Sequence, residues 1–274
     1  MAKQAKKKEV KRDSKSEVSE VISSPEINLS GFDVANIENE VLLISHFQDK
    51  KHIDTSLRKL DSEFGGILSN AVKNGFLKGE IGEVKSLYVA ERNLNLVVIG
   101  FGEESKLTLE IFTDTMSNVF RGLREGGYKK IGVYLEGLPI NNFNDEIGLE
   151  KLVFSSLMGL YGFNDFRTKN IDKIKFIQEI NFLSDKYQRY KKPLLDAMIV
   201  AEAVNKTRDL VNTPPNVANP EYVADYSQDM AKENKIKCQI LEENDLKKLG
   251  MNCLLAVSSG SVNKPKFVVL EYKN

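Results

Sequence analysis

The chain is divided by the stretch Arg208-Asp-Leu-Val-Asn-Thr-Pro-Pro-Asn216, in which a helical pattern runs into a double-proline turn. The residue before a proline is pushed out of the helical region, so the helix must end by Thr213. Asparagine side chains bond their own backbone and proline presets φ, which makes Asn212 to Asn216 ordinary turn chemistry. The residues alone therefore predict a tight turn that leads into a second unit, without a catalytic role.

A long helix precedes this turn. Pro193 begins it, because the missing N–H of proline would have no partner in the first helical turn. Apolar side chains then recur at helical spacing at Leu194, Leu195, Met198, Ile199, Ala203, Val204 and Leu210. We therefore expect residues 187–213 to form a rigid connecting helix between two domains.

Residues 28–186 combine strand patterns with helix patterns. Continuous apolar runs, typical of strands covered on both faces, occur at Val41–Ile44, Leu94–Ile99 and Ile131–Leu135. Helical spacing of apolar residues occurs at Leu57–Val72, Leu109–Leu123 and Leu149–Tyr161. A half-exposed strand is also expected at Lys173–Ile177. Strands that alternate with helices imply parallel crossovers, so the fold class is α/β with a three-layer N-terminal domain.

Residues 214–274 begin a second α/β unit. Asn219 caps a helix whose first residue is Pro220. Ile236 to Ile240 alternate with polar residues, which predicts a half-exposed strand near a sheet edge. A short helix is expected at Asp245–Leu249. The continuous apolar run Phe267–Leu270 predicts a central strand.

The N-terminal segment 1–27 differs from the rest in composition. Basic side chains crowd its first part at Lys3, Lys6, Lys7, Lys8, Lys11, Arg12 and Lys15. A basic arm on nucleic acid is one interpretation, because lysine clusters displace phosphate counterions. We favour a solvated, disordered tail, since the segment has little apolar surface to offset its ordering entropy. No apolar stretch follows the basic residues, so it is not a signal peptide.

Overall composition excludes few functions. Lys plus Arg and Asp plus Glu both number 39 in 274 residues, so no net field favours nucleic acid or acidic substrates. No apolar run reaches the ~18 residues of a membrane span, so we expect no membrane partner. Only Cys238 and Cys253 occur, without a secretory signal, which predicts a reducing, cytoplasmic setting.

Two patterns suggest ligand sites but favour simpler interpretations. Gly100-Phe-Gly102 follows a strand and precedes a helix, as in a dinucleotide fingerprint, but Ser105 replaces the third glycine. A turn is the better interpretation. His46 and His52 lie at a strand end and in a loop, without the additional ligands that zinc needs. We expect both to be surface histidines.

The stretch Arg208–Asn216 and the pattern after it resemble the leucine aminopeptidases, or cytosol aminopeptidases. In that family this segment joins the N-terminal domain to the catalytic domain. The resemblance covers about residues 41–272 and includes Ala256-Val-Ser-Ser-Gly-Ser261, which resembles the turn before the family's next strand. It implies a macro-like N-terminal domain at 28–186, the connecting helix at 187–213 and the start of the catalytic domain at 214–274.

The resemblance also implies an activity and cofactors. The family releases N-terminal amino acids from peptides with two divalent metals, zinc or manganese, and forms hexamers. The ligands of those metals come after the position that matches Tyr272 and include an Asp-Ala-Glu-Gly-Arg motif, which this sequence lacks. Glu271 and the other acids have no partner at ligand spacing. We therefore expect no catalytic, cofactor-binding or metal-binding residues in this chain, and no hydrolysis by it alone. The alternative is a non-catalytic macro-like module that binds nucleic acid or partner subunits.

Overall fold

A computed structural model describes residues 24–273. The predicted basic tail lies mostly outside this range, in residues 1–23. The chain forms two compact units, one ending at Ala203 and one beginning at Val204. The division at residues 28–186, 187–213 and 214–274 stays a prediction.

The described residues contain eight strands and eight α-helices. The strands are β1 (Glu26–Ser30), β2 (Val41–His46), β3 (Val84–Val89), β4 (Leu94–Gly100), β5 (Lys130–Tyr134), β6 (Glu179–Leu183), β7 (Lys237–Leu241) and β8 (Phe267–Glu271). The helices are α1 (Arg58–Glu63), α2 (Ile67–Lys73), α3 (Leu109–Gly126), α4 (Asp145–Leu160), α5 (Lys191–Asn212), α6 (Pro220–Glu233), α7 (Glu243–Lys248) and α8 (Asn252–Ser258). Strand β1 includes Glu26 and Ile27, which the sequence analysis assigned to the tail.

The first unit is built on one mostly parallel sheet. Its strand order is β1-β6-β5-β2-β4-β3. Every neighbouring pair is parallel except β3 with β4, which run antiparallel. The α/β class expected from the alternation of strands and helices is thus confirmed. The sequence analysis did not predict β3, which lies at one edge.

Strand β2 shows why a continuous apolar run belongs in the middle of this sheet. Val41 and Leu43 pack into one core cluster with residues of α3 and α4. Leu42 and Ile44 point to the opposite face and pack with residues of α1 and α2. Successive side chains alternate between the two faces of a strand, so both faces need apolar residues when helices cover both.

The helix expected across Leu57–Val72 is interrupted. Gly65 and Gly66 have φ of 64° and 78°, a left-handed conformation that stops α1 before α2 begins. The buried Asp61 stabilises the restart, because its Oδ1 accepts hydrogen bonds from the backbone N–H groups of Leu68 at 2.7 Å and Ser69 at 3.2 Å. After α2, Gly75 takes the same left-handed conformation, with a φ of 74°.

The strand expected at Lys173–Ile177 was misplaced. The sheet instead uses β6, which begins at Glu179 and lies between β1 and β5. Its polar residues are not typical of a strand between two neighbours, so the sequence pattern did not indicate it. These residues have partners: Asn181 donates to Asn39 Oδ1 at 2.8 Å, and Glu179 pairs with Lys130 at 3.4 Å. Polar groups in a sheet interior are tolerated when they find such partners.

The second unit contains a two-stranded sheet. Helix α6 begins at Pro220 as predicted, with the Asn219 side chain accepting from the N–H of Tyr222 at 3.0 Å. It packs against β7 and β8, which pair antiparallel. Within residues 24–273, β8 pairs with β7 alone, so it is not the central strand expected. Helix α8 runs to Ser258 and includes the first residues of the expected turn 256–261.

Candidate functional site

The turn Gly100-Phe-Gly102 lies at the carboxyl end of β4, where a dinucleotide would bind in a fingerprint fold. Its backbone groups bond to the loop 78–83: Gly100 N–H donates to Glu83 O at 2.8 Å and Gly102 N–H to Gly79 O at 2.8 Å. A side chain at Gly100 would collide with the carbonyl oxygen of Glu80. The N–H groups of both glycines thus bond to protein backbone, as the turn interpretation expects, and the absence of a nucleotide site here stays a prediction.

His46 ends β2 and is buried, so the prediction that it lies on the surface is wrong. Burial lowers the pKa of its imidazole, while the charges of Glu83 and Asp49 and a hydrogen bond to the Lys50 backbone oppose that shift. The sequence did offer one signal of this burial, because Ser45 and His46 directly follow the apolar run Val41–Ile44. His52 is exposed, as predicted.

A half-buried glutamate, Glu136, lies at the carboxyl ends of β5 and β6. Glu136 accepts a hydrogen bond from Ser184 Oγ at 2.5 Å, and its Oε2 is buried without a hydrogen-bond partner among the described residues. Tyr190 lies close by, and burial with the charges of Asp145 and Glu136 raises its pKa to about 12. Sequence analysis missed this group, in which one Glu136 oxygen has no hydrogen-bond partner among the described residues and the Ser184 hydroxyl lies beside the other oxygen.

The stretch Arg208–Asn216 is bonded to its own neighbours. The backbone N–H and Oγ1 of Thr213 both donate to Asp209 O, at 2.9 Å and 2.7 Å. Arg208 Nη1 donates to Asn205 Oδ1 at 3.3 Å, and Pro214 O accepts from the N–H groups of Val217 and Ala218. These contacts form the predicted turn at the end of α5.

The acids and thiols of the chain do not form a metal centre in the part that the structure describes. No group of three His, Cys, Asp or Glu side chains within residues 24–273 could hold a metal ion. Glu271 instead pairs with Lys237 and Lys273, each at 3.0 Å, and these bonds lower its pKa. Cys238 and Cys253 are both unpaired thiols.

A groove of about 660 Å³ lies between α3 and the edge strand β3. Its floor and walls are mainly apolar, and its rim carries Asp114 and Asn118. The lining comprises Ile81, Gly82, Val84, Ser86, Val97, Ile111, Asp114, Thr115, Asn118, Val119, Gly122, Leu123 and Tyr128. This volume falls in the range of small-molecule and side-chain pockets.

Two sequence models match the chain in order. Residues 43–170 match "Cytosol aminopeptidase family, N-terminal domain", and residues 205–274 match "Cytosol aminopeptidase family, catalytic domain". The chain belongs to the cytosol aminopeptidase family. Residues 171–204 lie between the two matches, and the second begins within α5, just before the Arg208–Asn216 turn, where the resemblance places the junction.

Curated relatives agree. The chain is 32% identical over 232 residues to a probable cytosol aminopeptidase of Thioalkalivibrio sulfidiphilus, covering 82% of this chain and 47% of the relative. It is 29% identical over 258 residues to one of Sulfurihydrogenibium, covering 90% of this chain and 49% of that relative. The chain thus spans about half the length of the curated relatives that it matches.

Solved structures show the same fold. A tomato leucine aminopeptidase mutant superposes with a TM-score of 0.74 at 21% identity, over 90% of this chain and 51% of that one. The bottromycin maturation enzyme BotP in complex with Mn superposes with a TM-score of 0.65 at 19% identity, over 86% of this chain and 45% of that one. No helix within residues 24–273 is long and apolar enough to cross a membrane.

Proposed function

We propose that this chain supplies the N-terminal domain and the first part of the catalytic domain of an aminopeptidase that releases N-terminal amino acids from peptides. The order of the two family matches, 43–170 and then 205–274, is the observation that carries the proposal. Independent support comes from the fold, which follows that of a leucine aminopeptidase over 90% of the chain.

The described residues act in this proposal as scaffold rather than as catalytic groups. Unit 1 forms a layered α/β structure around one six-stranded sheet, and the turn at Thr213 to Asn216 leads into the catalytic half. Two divalent metals, zinc or manganese, belong to the complete enzyme. Because no three ligand side chains meet within residues 24–273, we assign no residue here to either metal and no step of the reaction to this chain.

A calorimetric titration tests the metal assignment. We expect the 274-residue chain to bind neither zinc nor manganese with a stoichiometric site. One tight site per chain would contradict the assignment.

The peptidase assignment is tested by a chimera. The chain replaces the matching half of the Thioalkalivibrio relative, whose remaining half is kept. We expect the chimera to hydrolyse leucine p-nitroanilide in a metal-dependent manner, and the 274-residue chain alone to show only background hydrolysis. The unmodified relative is the positive control. A folded but inactive chimera, or metal-dependent hydrolysis by the chain alone, would refute the proposal.

The setting of the enzyme is part of the same proposal. Two unpaired cysteines suit a reducing compartment, which agrees with a cytoplasmic enzyme. The proposal also includes assembly of several copies, which the family resemblance implies to be a hexamer. A non-catalytic macro-like module that binds nucleic acid or partner subunits is less favoured, because the matches continue past the N-terminal domain into the catalytic domain at residues 205–274.

A further inference from the structure

Strand β3 ends the six-stranded sheet on one side. β3 pairs with β4 on one side, and its other edge has no neighbouring strand in the part of the chain that the structure describes. Val84 and Tyr88 remain 50% and 56% exposed on the face that carries α3. Open edges of this length pair readily with other strands, and proteins usually protect them.

The backbone pattern identifies which residues face outward. Gly100 N–H donates to Glu83 O while Gly100 O accepts from Gly82 N–H, so a bulge at Gly82 (φ 77°) and Glu83 starts the ladder with β4. Bonded pairs alternate along antiparallel strands, so Lys85, Leu87 and Val89 bond inward to β4. The N–H and C=O groups of Val84, Ser86 and Tyr88 therefore point to the open edge.

We propose that β3 pairs antiparallel with β3 of a second copy, about a two-fold axis through Ser86. This register uses all the outward groups at once, because Val84 lies opposite Tyr88 of the second copy and Ser86 lies opposite Ser86. About six backbone hydrogen bonds would form. The pairing joins the two sheets into one continuous sheet and does not depend on peptidase activity.

Side chains in this register are complementary to themselves. Each exposed Val84 meets an exposed Tyr88 on the α3 face, an aromatic–β-branched pair that stabilises strand pairing. On the other face Lys85 lies opposite Leu87, so no like charges oppose each other directly. Serine is small enough for close contact on the axis.

The groove beside β3 supplies room for the incoming tyrosine. Val84 forms part of its lining with Ile81 and Ile111, and Asp114 lies on its rim. A tyrosine of the second copy, placed beside Val84, would bury its ring against these apolar groups while its hydroxyl stays near the polar rim. Tyrosine suits such sites because one end is apolar and the other is polar. The contact is small for a dimer, so we expect association in the micromolar range.

Cysteine cross-linking tests the register, in a background where Cys238 and Cys253 are replaced by serine. Residues in a bonded antiparallel pair have Cα atoms about 5.5 Å apart, which a disulfide can bridge. We expect Ser86→Cys to form covalent dimers as the main product under mild oxidation. The matched control is Tyr88→Cys. Tyr88 lies on the same face as Ser86 but far from Tyr88 of the second copy, so we expect little covalent dimer. Equal cross-linking of both variants, or none of Ser86→Cys, would overturn the proposal.

Sedimentation velocity of the full chain provides the second test. Ser86→Pro removes an outward N–H and leaves the ladder to β4 intact, as proline allows on an edge strand. We expect it to weaken self-association by roughly tenfold or more without lowering the thermal midpoint. An unchanged association constant in the folded variant would overturn the proposal. If Ser86→Pro does not fold, the cross-linking pair decides.

Discussion

Two strands of this protein have the same sequence pattern and opposite surroundings. Val41–Ile44 in β2 and Phe267–Leu270 in β8 are both continuous four-residue apolar runs. Every residue of the first run is 0% exposed, whereas Phe267, Val269 and Leu270 of the second are 37% to 44% exposed. A continuous apolar run therefore predicts a strand that needs cover on both faces, and it does not say what provides the cover.

The cover comes from neighbours distant in sequence. Strand β2 lies between β5 and β4, with helices packed on both faces of the sheet. Strand β8 pairs with β7, and α6 packs against that pair. Each Å² of apolar surface left in water forfeits about 25 cal/mol, so β8 contributes much less to stability than β2 does.

Hydrogen exchange should show the largest difference between the two strands. Backbone amides of β2 should exchange only through global unfolding of unit 1, and those of β8 through local opening. We expect protection factors in β2 to exceed those in β8 by about a thousandfold or more, which corresponds to ~4 kcal/mol. Exchange of the full chain followed by mass spectrometry of peptides measures both strands together. Equal protection would show that β8 is covered in solution.

Truncation of a matched pair of leucines compares the same strands by energy. Leu43→Ala removes a fully buried side chain and should cost about 2–5 kcal/mol of unfolding free energy. Leu270→Ala removes a side chain that is 44% exposed and should cost under about 1 kcal/mol. Urea unfolding followed by circular dichroism measures each. A cost above about 2 kcal/mol for Leu270→Ala would contradict the exposed state of β8.

The second unit relies partly on one lysine. Lys266 is only 10% exposed, and its Nζ contacts Glu221 of α6 at 2.8 Å and Glu242 before α7 at 2.6 Å. Hydrogen bonds to these carboxylates raise its pKa, so its contribution is present below pH 10.5 and is lost as pH rises through the raised value. Lys266→Met should destabilise unit 2 by about 1 kcal/mol, since both carboxylates stay solvated.

Lys264→Met is the control for this substitution. Its ammonium lies 3.8 Å from Glu243 and is 76% exposed, so we expect a change near zero. Thermal unfolding of the two variants at neutral pH provides the measurement. Equal effects would mean that Lys266 acts as an ordinary surface charge.

Sequence patterns located the elements whose environment is uniform and missed those with mixed surroundings. The runs of β2, β4 and β5 and the stripe of α3 were predicted because helices cover both faces of the sheet. Strand β6 was misplaced because Glu179 and Asn181 are polar in the sheet interior, and their partners Lys130 and Asn39 come from distant segments. Glu136 was missed for the same reason, because its surroundings come from the ends of two strands that are distant in sequence.

His46 gives the smallest expected effect and the clearest sign. Burial lowers the pKa of its imidazole from 6.5, so the folded protein binds its proton less readily than the unfolded chain does. Above pH 6.5 His46 is neutral in both the folded and the unfolded chain and does not change stability. Unit 1 loses stability as pH falls from 6.5 towards the lowered pKa.

Carboxyl groups also titrate at acid pH, so the informative quantity is the difference in unfolding free energy between variants. We expect the unfolding free energy to fall less between about pH 7.5 and 5.5 in His46→Gln than in the wild type, and His52→Gln, at an exposed site, to follow the wild type. Urea midpoints at the two pH values measure this. A His46→Gln profile parallel to the wild type would show that His46 is solvated, and that the buried end of β2 opens more readily than its central residues do.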